Sequence, residues 1–370
     1  MRRHLFYCCT PFQIMMAAAF KMTILKGEQV DIIVSDLING SEALFDNISK
    51  TCFFTKAMYL KNYKFDYVHK SRKEEIKKIL NRRALFNCLL PDLGKYDCFY
   101  VADSLQSINV IYEILKRKNK DLSLYYYEEG PVAVLCDQGN HFKRKEEYFG
   151  KKRELINALL GCQYVDGSFD AAYSSVYDKM EPNYFEWRAL PVISATELKE
   201  YVEILNTFWG YGHDDTLKHK IVFLEESFYV DNRGNRDFEI VRDLLDNAHG
   251  RDVLVKLHPR TRDNRFKELG IDVYKNVSVP WELVALNRDL DDTILVCVGS
   301  GAILYPKLYW NIEQKSIALL NCKEYQFPYI KNNEYYETFG KVCEDKKLAL
   351  LPKNKEEFFE QLGELINGTI

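Results

Sequence analysis

At 370 residues, 47% hydrophobic and 28% charged, the chain has the balance of a folded globular protein with two domains of ordinary size. Those proportions exclude a disordered chain, a collagen and a coiled coil. With 51 basic and 54 acidic residues the net charge is −3, so nucleic acid is not an expected partner.

The N-terminal run from Arg2-Arg3 to Phe20 imitates a secretion signal, but Thr10-Pro11 and Gln13 interrupt it and Lys21 and Lys26 follow it. It reads better as a strand over 4–9, a turn, and a helix over 11–25. Further elements follow in order: a strand over 30–35, a helix over 41–50, a basic helix over 71–90, a strand over 97–101, a helix over 108–117 and a strand over 122–127. Short apolar strands separated by helices predict a parallel sheet covered on both faces. Between residues 162 and 191 the pattern lapses into Tyr, Asp, Ser and Glu with Pro182 and Pro191, which predicts an interdomain crossing. A helix over 195–209 and a polar loop precede the second alternation. Its strands are 220–224, 252–257, 293–298 and 316–320, and its helices are 237–248, 302–310 and 355–367. The expected domains are therefore 1–190 and 191–370, two doubly wound α/β units facing a central cleft.

No stretch reaches the roughly 18–20 uninterrupted apolar residues of a membrane span. None of the ten cysteines forms a C-x-x-C pair, and several lie in apolar runs, so they read as small buried hydrophobes in a reducing compartment. A cytoplasmic protein is expected. The basic stretches over 70–83 and 143–153 contain glutamates and read as solvated helix faces, which leaves room for peripheral contact with the inner face of a membrane. The 25 tyrosines and 22 phenylalanines read first as core and surface rings and second as stacking platforms. The apolar first helix and tyrosine-rich surface allow a homodimer without requiring one.

Ligands of doubly wound sheets sit beyond the carboxyl ends of the strands, so the residues just after strands are the candidates. Thr10, Pro11 and Gln13 have the form of a helix start, with an N-cap, a proline at the first position and a capping-box glutamine; the same groups would line the cleft. Glu128-Glu129-Gly130 places two adjacent carboxylates at a strand end, where mutual repulsion suits one of them to general-base work. Lys256, His258, Pro259 and Arg260 form a third group. Pro259 restricts His258 to extended geometry, and the two cations add positive field where an imidazole could stabilise or protonate a departing phosphate. Gly299-Ser300-Gly301 opens a predicted helix, and close backbone approach, free amides and the Ser300 hydroxyl would suit a phosphate. It matches neither a Walker A loop nor G-x-G-x-x-G. Asp289 and Asp291 have the spacing of a metal-binding D-x-D, but they precede a strand, so no metal is expected.

Together these motifs resemble the bacterial sialyltransferases of GT-B type. The acidic-acidic-Gly motif is matched by Glu128-Glu129-Gly130, the His-Pro motif by His258-Pro259, and the hydroxyl motif by Ser300, although Gly301 stands where those enzymes often carry a second hydroxyl residue. The opening Cys9-Thr10-Pro11-Phe12-Gln13 is similar to the start of glycosyltransferase family 52, the lipooligosaccharide sialyltransferases. The resemblance implies inverting, metal-independent transfer from CMP-sialic acid, with no cofactor, to a galactose-type hydroxyl of a cell-surface glycan such as lipooligosaccharide or capsule. Glu128 would be the base, with Glu129 or Asp231 as alternatives. His258 would stabilise or protonate the leaving phosphate, and Lys256, Pro259, Arg260, Gly299, Ser300 and Gly301 would hold the donor. Thr10, Pro11, Gln13 and Gly130 would lie on the acceptor side. Two rivals remain: a CDP-glycerol phosphotransferase, which shares a His-Pro motif and a downstream hydroxyl cluster, and a nucleotide- or glycan-binding protein without turnover.

Overall fold

The computed structural model describes residues 1–370 apart from 68–71, 137–141, 143–160, 181–183, 213–218, 230–233, 248–251, 262, 327–332 and 370. The chain divides into two compact units, Met1–Gly210 and Tyr211–Ile370.

The first unit runs β1 (Arg3–Cys8), α1 (Pro11–Met22), β2 (Gln29–Ser35), α2 (Ser41–Thr51), β3 (Lys56–Leu60), α3 (Tyr63–Asp66), α4 (Arg72–Leu89) and β4 (Cys98–Val101). It continues through α5 (Gln106–Lys118), β5 (Ser123–Tyr127), α6 (Pro131–Cys136), β6 (Ala171–Ser174), β7 (Glu186–Ala189) and α7 (Leu198–Trp209). The seven strands lie in the order β3-β2-β1-β4-β5-β6-β7, and all pairs are parallel. β1 is an inner strand between β2 and β4, and α1 is buried along most of its length, so the signal-like opening is core structure.

The segment read as an interdomain crossing holds β6 and β7, and α7 beyond it packs on α1 and α2, where the Tyr201 hydroxyl donates to the Met15 carbonyl at 2.9 Å. The division therefore falls at residue 210, later than the expected 162–191. These strands, and β3 at the opposite edge, escaped the sequence reading because they lack the strongly apolar runs that mark the other short strands. β7 is an edge strand without a buried residue, so apolar alternation had nothing to mark.

The tyrosines are largely core residues. Phe6 stacks on Tyr100 at 4.3 Å, and Phe20 of α1 meets Tyr100, Tyr127 and Tyr173 edge-on at 5.6, 5.9 and 5.0 Å. This cluster bonds the first helix to the sheet through ring contact as well as buried area.

The second unit runs β8 (Ile221–Leu224), α8 (Arg236–Asn247), β9 (Val253–Lys256), β10 (Asp272–Val273), α9 (Trp281–Asn287), β11 (Ile294–Cys297), α10 (Tyr305–Trp310), β12 (Lys315–Ala318), α11 (Glu334–Lys346) and α12 (Lys355–Asn367). Its parallel sheet has the order β10-β9-β8-β11-β12. The predicted single helix over 302–310 is a 3-10 turn, Gly301–Ile303, followed by the short α10. Pro306 explains the break, because it has no amide hydrogen for a helical bond and fits only a first turn. Among the described residues no helix is long and apolar enough to cross a membrane.

Phe20→Ala should lower the unfolding free energy by about 3–5 kcal/mol, because a buried ring is lost from a packed cluster. Urea denaturation of the full chain followed by circular dichroism reads this; a loss under 1 kcal/mol would contradict the anchoring role.

Candidate functional site

In the first unit the strand order reverses between β1 and β4. Thr10 follows β1 and caps α1, its hydroxyl accepting from the Gln13 amide at 3.3 Å. The Gln13 side chain returns to accept from the Cys9 amide at 2.7 Å, and its nitrogen donates to Glu129 Oε2 at 2.8 Å. Gln13 is fully buried, so the capping residue also fixes a carboxylate more than a hundred positions away. Sequence reasoning placed both groups after strands but had no means of joining them.

The two acidic residues after β5 divide. Glu128 is 0% exposed and accepts from the hydroxyl of Ser174, the last residue of β6, at 2.5 Å. Glu129 is only half-buried. Successive residues of an extended chain point to opposite sides, and here the expected base Glu128 is the one turned inward. A carboxylate with no exposed surface offers no face to an acceptor hydroxyl, so Glu129 is the accessible member. Gly130 has φ +149°, a backbone region that side-chain-bearing residues rarely adopt, and this lets the chain turn from β5 directly into Pro131 of α6. Asp231, the third candidate base, lies outside the described residues.

In the second unit the order reverses between β8 and β11, and the remaining candidates gather along the carboxyl ends of β9, β8 and β11. His258 lies just past β9 and is half-buried. Its Nδ1 accepts from the Arg260 amide at 3.1 Å, and the Thr261 amide closes the Pro259 turn onto the His258 carbonyl at 2.8 Å. With Nδ1 accepting, the neutral imidazole carries its proton on Nε2, which makes that nitrogen a donor suited to a phosphate oxygen. Arg260 is exposed.

Lys256 differs from expectation. It is buried, and its ammonium donates to the Val277 carbonyl at 3.0 Å and lies 5.6 Å from the centre of the Tyr274 ring. Burial pulls its pKa from the ordinary 10.5 down to about 8, against the opposing pull of Glu282 and Glu225. Glu282, in the first turn of α9, is buried too, and burial raises its pKa. Its position inside a helix left no sequence signal.

The Gly299-Ser300-Gly301 turn also differs. The Gly299 amide donates to Glu226 Oε1 at 2.9 Å, the Ser300 amide to Cys297 Sγ at 3.4 Å, and the Ala302 amide to Ser300 Oγ at 3.4 Å. Three of the amides expected to be open, those of Gly299, Ser300 and Ala302, are therefore engaged, and the short helices beyond the turn supply little dipole. The Ser300 hydroxyl accepts from Ala302 and keeps its own hydrogen to donate. The glycines answer to packing: a Cβ on Gly299 would lie 2.9 Å from Tyr336, and one on Gly301 would lie 2.5 Å from Tyr305.

Carboxylates stand behind these turns. Glu225 and Glu226 directly follow β8. Glu225 accepts from the His258 amide at 2.8 Å and pairs with Arg265, whose guanidinium also reaches Asp237 at 3.4 Å and Asn235 at 2.8 Å. Burial lifts the Glu226 carboxyl to about 7, with Glu225 adding to the rise and the Gly299 amide opposing it. Burial likewise pushes Asp237 well above its usual range, reinforced by Glu226. Asp289 and Asp291 lie before β11, at the sheet's opposite edge. Among the described residues no cluster of three or more His, Cys, Asp or Glu is placed to hold a metal.

Three comparisons bear on this geometry. No curated protein matches the chain. Among solved structures, S. aureus MnaA with UDP matches at TM-score 0.51 and 13% identity, covering 99% of this chain and 88% of that one. LpCGTa with UDP matches at TM-score 0.50 and 10% identity, covering 99% and 91%. An α/β-galactoside α-2,3-sialyltransferase from Photobacterium phosphoreum matches at TM-score 0.45 and 13% identity, covering 95% and 98%. MnaA and LpCGTa show a common fold, the GT-B arrangement of two Rossmann-like parallel sheets, and nothing of substrate. The model of the α-2,8-polysialyltransferases matches residues 4–319, a span that holds every candidate group in both units. The chain belongs to the α-2,8-polysialyltransferase family and is a glycosyltransferase of sialyltransferase type.

Proposed function

We propose that the chain transfers sialic acid from CMP-sialic acid to a hydroxyl of a cell-surface glycan, with inversion and without a metal. The observation that carries this reading is the alignment of His258 and Ser300 along the carboxyl edge of one parallel sheet, inside the span that matches the sialyltransferase family. Glu129 takes the proton of the acceptor hydroxyl, and that oxygen bonds to the anomeric carbon of the donor sugar. The bond from that carbon to the phosphate oxygen breaks, and CMP departs. His258 Nε2 and the Ser300 hydroxyl receive the charge gathering on the phosphate. Lys256 and Arg260 add positive field.

The family's α-2,8 description supports a sialylated glycan terminus as acceptor. A galactose-type hydroxyl is the second reading, favoured by the Cys9–Gln13 opening similar to the lipooligosaccharide enzymes of family 52. Synthesis of lipooligosaccharide or capsule, on the cytoplasmic face of the membrane, is the matching setting. Transfer assays with CMP-sialic acid in EDTA, using sialyllactose and lactose side by side, separate the two acceptors. Calorimetric titration with CMP, UMP and CDP-glycerol tests the donor. Selective CMP binding supports the reading, tighter binding of CDP-glycerol points to a glycerol phosphotransferase, and CMP binding without transfer to any glycan points to a binding protein.

Glu129→Gln should lower turnover by about 10²–10⁴-fold, the usual share of a general base, and leave CMP affinity within about 3-fold. Glu128→Gln should cost less than about 10-fold. The reverse pattern in steady-state kinetics would assign the base to Glu128.

His258→Ala should weaken CMP binding and turnover together, because a donor to the phosphate is lost before and during bond cleavage. Unchanged CMP affinity in the calorimetric titration would remove His258 from the donor site.

Lys256 makes a pH prediction with two opposite signs. Above about pH 8 the folded chain loses this proton, so CMP affinity should fall. Between about 8 and the ordinary 10.5 the unfolded chain holds more protons at this group, so its contribution to stability should rise with pH over the same window. Lys256→Met should flatten both trends, as read by CMP titration and urea denaturation at each pH.

A further inference from the structure

Two consecutive carboxylates end the central strand of the second sheet, and each accepts the amide of a different neighbouring turn. Glu225 Oε2 accepts from His258 at 2.8 Å, and Glu226 Oε1 accepts from Gly299 at 2.9 Å. The two turns lie beyond β9 and β11, on either side of β8, and share no backbone ladder with each other. Past the ends of the strands the ladder no longer links such turns to each other, which leaves their spacing to other contacts, side chains among them. Glu225 is itself held by Arg265, which also contacts Asp237 and Asn235 at the start of α8. The Glu226 amide is held by Asp237 at 3.2 Å. The pair is thus anchored from behind, with its two free carboxylate ends spent on the backbone of the two turns.

We propose that Glu225 and Glu226 are positioning residues that set the spacing between the His258 turn and the Gly299-Ser300 turn, and so pre-form the seat for the donor's phosphate. This rests on the donor site proposed above. Neither carboxylate touches the donor; each acts through one amide. The role requires an acceptor atom at the right reach and does not require a negative charge. Glutamine at 226 therefore preserves it, because the amide oxygen takes the carboxylate's place. Aspartate does not, because it keeps the charge and withdraws it by one methylene.

The test compares Glu226→Gln, Glu226→Asp and Glu226→Ala in the full chain by two readouts. The first is hydrogen exchange of the Gly299 amide by NMR, which needs no nucleotide. The second is CMP affinity by calorimetry, with acceptor KM measured alongside. The expected result is faster Gly299 exchange in the Asp and Ala variants, wild-type exchange in the Gln variant, and CMP binding weakened about 10-fold to 100-fold in Asp and Ala but under about 3-fold in Gln. Acceptor KM should stay within about 2-fold in all three. A merely structural role predicts equal loss in the Asp, Ala and Gln variants, tracking their thermal midpoints, and would overturn the proposal. Tighter CMP binding in the Ala variant would overturn it as well, because Glu226 would then be occupying the phosphate's own donor. If the wild type binds no CMP while exchange follows the expected order, the donor reading fails and the brace stands. If Ala does not fold, Asp against Gln carries the same decision.

Discussion

Everything at the candidate site depends on the strands being parallel. In a parallel sheet every strand ends on the same edge, and each crossover begins there. Groups far apart in sequence are then delivered side by side without a dedicated scaffold. Gln13 and Glu129 meet because β1 and β5 finish on one edge of the first sheet. Glu225, His258 and Gly299 meet for the same reason in the second. The crossovers require both faces of each sheet to be covered, which explains the continuous burial along β1, β4, β8 and β11.

The second sheet's edge carries an unusual load of acid. Glu225 and Asp237 share one guanidinium, that of Arg265, and Glu226 lies close enough to raise the pKa of Asp237 further. Burying two carboxylates with a third beside them costs more than one cation returns, and the raised pKa values of Glu226 and Asp237 express that imbalance. A fold selected for stability alone would place apolar groups there. Carboxylates offer two acceptor oxygens each, and these are used on amides of three loops that no sheet ladder reaches. The cost in desolvation is set against fixed geometry of those loops.

Family membership and fold answer different questions. The GT-B fold is common to MnaA and LpCGTa, whose solved forms contain UDP. The shared fold says nothing of substrate. The sialyltransferase assignment comes from the family match over residues 4–319. The structure adds the local mechanics: a histidine with its proton steered to Nε2, a serine with a hydrogen left to donate, and an accessible carboxylate tied to a helix cap.

The sequence by itself determined the α/β class, both alternations, and the motifs at residues 10–13, 128–130, 258–259 and 299–301. These are local properties: apolar runs, capping chemistry, and the backbone restrictions of proline and glycine. Tertiary structure decided the rest. It assigned 171–189 to the first sheet, because short strands without a strongly apolar run draw their stability from a neighbour and carry no period of their own. It turned Glu128 inward and left Glu129 accessible, because facing depends on where an extended strand stops. It buried Lys256, whose charge a sequence reader sets in solvent by default. It also joined Glu225 and Glu226 to turns 33 and 73 residues away, since a hydrogen bond to a distant amide leaves no mark on the residues between.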